Sequence, residues 1–209
     1  MITRRNFNKR ANLWTKQKGG IIIQYVYHMV PNNMVGNNLI ALNKLKENNE
    51  ELYNSYAKKY SNHPERIKLL ERNILKLNCL WNDVVHFLPL NPNYVYEALT
   101  TVGIKVASNL RFYKIPIENL VDNKNAIYLY RKENYKGPAA PMNSQEVKLL
   151  DTRDYQELTS IPKDTVDYYM EEHSKGNKFG IFPFIPHVLS YGEVSIANAE
   201  IINWSKKID

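Results

Sequence analysis

Hydrophobic and polar positions divide the chain into short segments of both strand and helix periodicity. Residues 21 to 28 are β-branched and aromatic, which predicts a buried strand, and the Pro-, Gly- and Asn-rich stretch to Asn38 predicts a loop. Two apolar runs between 73 and 90 also read as strands. The remaining predicted strands are 111–115, 126–130, 179–185 and 188–194, with mixed periodicity from 195 to 204.

Helical spacing is found in the segments that separate these strands. Residues 39–46, 49–60 and, more briefly, 65–72 have it, and Asn91 followed by proline predicts a helix that Gly103 ends. A last helix runs to about His173, with Asp164 or Thr165 as its predicted cap. About seven strands with several short helices, in no regular βαβ order, predict an α+β fold.

Composition indicates one folded unit with a separate N-terminal arm. The chain has 209 residues, of which 44% are hydrophobic, enough for a single domain over residues 21–209. Cys79 is the sole cysteine, so no disulfide can form within the chain. No apolar run approaches the ~20 residues that span a bilayer, and no secretory signal is recognisable. We therefore expect a cytoplasmic protein with no membrane contact.

The net charge of +7 is concentrated in residues 1–20. That arm contains six basic residues and no acid, and without it 22 basic residues face 21 acidic ones. Phe7 and Trp14 lie among the basic positions, an arrangement that suits phosphate contacts and base stacking. The expected nucleic-acid-binding residues are Arg4, Arg5, Lys9 and Arg10, with DNA or RNA as the partner. The alternative is a solvated terminus with no binding role.

Three histidines end or begin apolar runs: His28, His86 and His187. A histidine at the end of a buried strand is well placed for acid–base work, although a strand histidine can also be a hydrogen-bonded core group. The chain has no phosphate-binding glycine loop, His-Glu-x-x-His motif or Gly-x-Ser-x-Gly elbow. Because the five histidines lack ligand spacing, we expect no metal.

Trp81, Asn82 and Asp83 interrupt two apolar runs, and we interpret them as a structural corner. Trp81 adds a large buried surface, while Asn82 and Asp83 can bond the backbone where one run bends into the next. The corner is therefore expected to stabilise the fold and to take no part in catalysis.

Three segments together resemble a known family. They are the Tyr27-His28 pair before an Asn-rich loop, the run from Asp83 to Tyr96, which a strand at 111–115 follows, and the run from Pro186 to Glu193. This order resembles the DarT-type ADP-ribosyltransferases, in which Tyr-His opens the NAD-binding strand. Asp83, Val85, Phe87 and Tyr96 match the second family motif, with histidine at 86 in place of a proline.

The resemblance implies an ART fold, in which a split β-sheet forms an NAD-binding cleft, and transfer of ADP-ribose to a nucleic-acid base. It implies that the strand ending at His28 and the strand after His187 lie side by side. Histidine at 187 stands where the family has its catalytic glutamate, and Glu193 is the nearest carboxylate. The implied catalytic residues are His28, His187, Glu193 and Arg72, and the implied NAD-binding residues are Tyr27, His28, Asn32, Arg66, Tyr94 and Tyr96.

Three functions stay open from sequence. The first is the NAD-dependent transferase, acting as a toxin or phage-defence component with an antitoxin or regulatory protein as its partner. The second is a nuclease or phosphotransferase that uses His28 and His187. The third is a noncatalytic binding module on the same fold.

Overall fold

The structure, a computed structural model, describes residues 23–61, 67–137 and 140–207. Its helices are α1 (Leu42–Asn48), α2 (Glu50–Ser61), α3 (Pro92–Thr101) and α4 (Lys163–Ser174). Its strands are β1 (Tyr25–Met29), β2 (Asn38–Leu39), β3 (Asn73–Ile74), β4 (Cys79–Leu80), β5 (Val85–Phe87), β6 (Arg111–Pro116), β7 (Lys124–Tyr128), β8 (Val147–Leu149), β9 (His187–Tyr191), β10 (Val194–Ser195) and β11 (Glu200–Asn203). Short 3-10 turns include Trp81–Asp83. This mixture confirms the α+β class.

Two antiparallel sheets form the centre of the fold. One has the strand order β1-β6-β11, and the other has the order β5-β9-β7-β8. Two-residue strands form the small pairs β10-β2 and β3-β4. The long strands follow the predicted positions, because alternating apolar residues place one side chain in two on the core.

The two main sheets meet at Tyr27 and Leu88. The amide of each residue donates to the carbonyl of the other, with N···O distances of 2.9 and 2.8 Å. Among the described residues this is the single bridge between the sheets. The β1 end and the β5 strand therefore border a split in the β structure.

Successive side chains of β1 enter different core clusters. Val26 and its partner Ile115 on β6 pack with Phe87 and Val188 in one cluster. Tyr27, on the opposite face, packs with Trp204 and the residues of α3 and α4. A third cluster lies between the β7–β9 pair and the β3–β4 hairpin. His28 shares its face with Val26, since side chains two positions apart project the same way.

The prediction that the strand ending at His28 and the strand after His187 lie side by side is wrong. β5 lies between them, because it pairs with β9 in an antiparallel register and bridges to β1 through Leu88. His28 and His187 are consequently separated by one strand. The sequence run from Val84 to Leu88 is apolar enough to be a central strand, which explains its position.

Three local predictions also require correction. Residues 179–185 are not a strand, since Pro183 and Pro186 lack amide donors and Phe184 has a φ of 57°. The β7 strand ends at Tyr128. Pro162 precedes α4 and no side chain caps it; Thr165 instead donates to the carbonyl of Pro183 at 2.9 Å.

Within the described ranges, no helix has both the length and the apolar character needed to cross a membrane.

Candidate functional site

A cavity of about 550 Å³ opens beside the split between the two sheets. Its walls come from the end of β1 and the loop after it, from β2 and α1, from α2, and from the segment 82–88. Phe112, Phe182 and His187 complete the lining. The cavity volume lies within the ~300–1,000 Å³ of small-molecule sites.

The lining of the cavity is apolar with a few neutral polar groups. Among the described residues, none of the lining side chains is Asp, Glu, Lys or Arg. The polar members are three histidines, three tyrosines and three asparagines: His28, His86, His187, Tyr27, Tyr56, Tyr60, Asn32, Asn38 and Asn82. Such a lining suits a planar, mostly uncharged ring, which apolar contacts bind and a few polar groups orient.

His28 is fixed at the mouth of the split by a backbone hydrogen bond. Its Nδ1 lies 2.8 Å from the carbonyl oxygen of His86, and its ring meets Phe87 edge-on at 5.6 Å between centroids. Because a carbonyl oxygen only accepts, Nδ1 carries the proton in this pair. In the neutral ring the other nitrogen is then an acceptor.

His187 has the same kind of anchor on the other side of β5. Its Nδ1 lies 2.7 Å from the carbonyl oxygen of Ile185, and the ring of Tyr130 lies 6.0 Å away. Burial lowers the pKa of His187 from 6.5 to about 4. The imidazole is therefore neutral at physiological pH.

His86 connects the cavity lining to the Trp81–Asp83 turn that precedes β5. Its Nε2 lies 2.9 Å from the carbonyl oxygen of Trp81, and the two rings lie 4.3 Å apart. The structure thus places all three strand histidines in the lining of one cavity, as the expected cleft requires.

Glu193 follows a tight turn and bonds to a residue of the cavity lining. Gly192 adopts a φ of 146°, and β10 then pairs with β2, so that Ser195 faces Asn38. The Asn38 side chain, which lines the cavity, donates to the exposed Glu193 carboxylate at 3.0 Å. Asn123 fixes the turn by donating to Ser190 at 2.9 Å and to the Glu193 carbonyl at 3.0 Å. A carboxylate therefore lies one hydrogen bond from the lining.

Tyr27 is an anchored core residue whose hydroxyl has a carboxylate partner. The residue is 2% exposed, and its hydroxyl donates to Glu157 at 2.9 Å. The second oxygen of Glu157 accepts the Tyr25 amide at 2.6 Å. Burial and, next, the Glu157 charge raise the pKa of Tyr27. The carboxylate thus holds the β1 strand that carries His28.

Asn32 lies in the loop over the cavity. Its carbonyl oxygen accepts a hydrogen bond from the Tyr56 hydroxyl, which ties the loop to α2. Asn32 and Tyr56 both line the cavity, so the loop and the helix form one continuous wall.

Several predicted site residues lie elsewhere. The Arg72 guanidinium packs against the rings of Trp81 and Tyr128, at 5.5 and 5.6 Å, and the residue does not line the cavity. Tyr94 and Tyr96 belong to the α3 core, where Tyr96 contacts Trp204 at 5.4 Å. Neither tyrosine offers a stacking face to the cavity.

Arg66 and the arm residues Arg4, Arg5, Lys9 and Arg10 fall outside the described residues.

The corner before β5 is partly as predicted. The Asp83 carboxylate accepts the Leu80 amide at 2.7 Å and the Asn43 side chain at 2.7 Å, which confirms its structural bonding. Asn82 differs, because its buried side chain lines the cavity. The expectation that Asn82 bonds the backbone at the corner is wrong.

Sequence reasoning missed Asn38, Asn82 and Glu157. Asn38 and Asn82 lie in an asparagine-rich chain, where one more asparagine is no signal. Glu157 lies 130 positions from Tyr27, so no local pattern connects them.

No group of three or more His, Cys, Asp or Glu side chains in the described ranges is arranged to hold a metal ion. Comparisons of the chain with protein-family models, with curated proteins and with solved structures gave no match.

Proposed function

We propose that this chain is an ADP-ribosyltransferase-like enzyme that binds NAD as a substrate in the cavity beside the split. The proposal is carried by one observation: among the described residues the two sheets are bridged only at Tyr27 and Leu88, and the cavity there has His28 in its lining and Glu193 bonded to the lining residue Asn38. A cleft at a split in the β structure is what the resemblance implies for an ART fold, although β5 and not β9 borders β1 here.

The interior of the cavity is suited to bind the nicotinamide ring of NAD. Phe87, Leu45 and Met34 are among its apolar walls, and the neutral His187 lies in its lining. A planar heterocycle gains from burial against such walls, while neutral acceptor nitrogens are compatible with the positive charge of the pyridinium form. The nicotinamide ring is the part of NAD with this character.

Glu193 is the proposed catalytic carboxylate of the transfer reaction. As the bond between the ribose carbon and the nicotinamide nitrogen breaks, its electron pair leaves with nicotinamide and positive charge develops on the ribose. A carboxylate in this position can accept from a ribose hydroxyl and stabilise that charge. It can also take the proton that the attacking acceptor group loses when the new bond to the ribose carbon forms.

The proposed acceptor is a nucleic-acid base, reached with the help of the basic arm. Arg4, Arg5, Lys9 and Arg10 supply phosphate contacts in this proposal, and Phe7 and Trp14 supply stacking faces. An antitoxin or another regulatory protein that covers the cavity is the partner class that such an activity calls for.

The test is release of nicotinamide and transfer of labelled ADP-ribose from NAD to single-stranded DNA or RNA. Glu193→Gln should lower the rate about 100-fold or more, as loss of a charge-stabilising group does. It should melt like the wild type, since the carboxylate is exposed. Glu200→Gln, another exposed glutamate, paired with Lys114 on β6, is the matched control and should keep full activity. Absence of NAD turnover with every acceptor contradicts the transferase proposal.

A noncatalytic binding module is the second candidate. The observation in its favour is the absence of Lys and Arg among the described lining residues, so no side chain there pairs with a diphosphate. Saturable NAD binding without nicotinamide release supports this candidate over the enzyme.

A further inference from the structure

Asn82 carries a buried amide that no hydrogen bond joins to the rest of the described chain. The residue is 2% exposed and lines the cavity. Its neighbours on both sides are bonded: the Trp81 carbonyl to His86, and the Asp83 carboxylate to the Leu80 amide. The Asn82 side chain, by contrast, makes no hydrogen bond within the described ranges.

The other two buried asparagines each donate to a backbone carbonyl. Asn93 is 3% exposed and donates to the Trp204 carbonyl at 2.8 Å. Asn125 is 6% exposed; its NH₂ group donates to the Leu120 carbonyl at 2.7 Å, while its Oδ1 has no partner among the described residues. Burying an amide without a partner is unfavourable, so buried polar groups are nearly always bonded by protein, water or ligand. Since Asn82 lines the cavity and its amide atoms are accessible from it, a water or a ligand in the cavity can bond to them.

The position of the amide is fixed by its surroundings. Asn82 is the middle residue of the 3-10 turn Trp81–Asp83, which Asp83 closes through the Leu80 amide. Asn43 on α1 donates to the same Asp83 carboxylate at 2.7 Å. A polar group held in this way loses little freedom on binding, which favours selective recognition.

We infer that the Asn82 amide recognises the carboxamide of the nicotinamide ring. This inference rests on the proposed function and names the residue that selects its substrate. A primary amide presents one acceptor oxygen and an NH₂ donor, so two amides can pair through two hydrogen bonds. A carboxylate at the same ring position offers no donor and brings a negative charge that no described cation of the lining balances.

The test is the affinity for free nicotinamide and for nicotinate, measured by calorimetry. Wild-type protein should bind nicotinamide at least about 30-fold more tightly than nicotinate, because a site built for hydrogen bonds rejects analogues that leave its groups unpaired. Asn82→Leu should reduce this ratio to about threefold or less. Asn93→Leu is the matched control; it should melt at a lower temperature, because the Trp204 carbonyl loses its donor, and keep the wild-type ratio.

A second variant covers the case in which Asn82→Leu does not fold. Asn82→Asp has the same shape but only acceptor atoms, so it should also lose affinity for nicotinamide. Wild-type affinity in either folded variant overturns the inference while leaving NAD binding intact. If the wild-type protein binds neither NAD nor nicotinamide, both the inference and the proposed function fail.

Discussion

His187 gives the protein a pH-dependent stability that can be calculated from its surroundings. Burial lowers its pKa from 6.5 to about 4 in the folded state. Between these values the unfolded chain binds the proton and the folded chain does not, so stability falls as pH decreases from 6.5 to 4. At about 1.4 kcal/mol for each tenfold change in proton affinity, the largest possible loss is about 3 kcal/mol.

The assay is urea unfolding of wild type and His187→Asn at several values between pH 7.5 and pH 4.5. Asparagine keeps a donor for the Ile185 carbonyl but does not titrate. We expect wild type to lose about 2–3 kcal/mol more than the variant over this range. His173→Asn, at an exposed position of α4, is the control and should follow wild type. A constant difference between wild type and His187→Asn at all pH values would refute the reasoning.

Three further predictions concern the turn, the corner and the arm. In Gly192→Ala, a Cβ would lie 2.1 Å from the Asn123 side-chain oxygen. We therefore expect the unfolding free energy to fall by about 1–3 kcal/mol and NAD turnover to be lost; normal melting of the variant contradicts this. Asp83→Ala removes the acceptor for the Leu80 amide and should cost about 1–2 kcal/mol by urea unfolding; a variant that melts normally but is inactive would place Asp83 in the site. Deleting residues 1–20 should leave melting unchanged and reduce both DNA affinity and its salt dependence; unchanged binding would exclude a role for the arm.

Local sequence signals were sufficient for most of the regular elements. The β1 and β6 strands follow from alternating β-branched and aromatic residues, and α3 begins where Asn91 accepts the Asn93 amide at 3.0 Å. These signals act over a few residues, so they can be read directly. Residues 179–185 show the limit, because the core needs their apolar side chains but prolines prevent a strand.

The site could be predicted only in part, because its geometry depends on distant pairings. The histidines at the ends of apolar runs were identified, and all three line the cavity. The insertion of β5 between their strands was missed, since neighbour order in a sheet is not encoded locally. Glu193 reaches Asn38 across 155 positions through two-residue strands that carry no periodicity.

Arg72 was predicted to belong to the site but lies outside it. The resemblance implied a catalytic role for Arg72, but its guanidinium packs against the rings of Trp81 and Tyr128 instead. Tyr128, one of these two rings, lies on a strand 56 positions further along the chain, so no local pattern predicts its contact with Arg72.

The central claim is that the cavity beside the split binds NAD, and calorimetric titration of the purified protein with NAD tests it most directly. We predict saturable binding at one site per chain, weakened at least about tenfold in His28→Ala, whose melting temperature should also fall modestly because the His86 carbonyl loses its donor. Absence of binding heat, together with an unchanged melting temperature at millimolar NAD, would contradict the account.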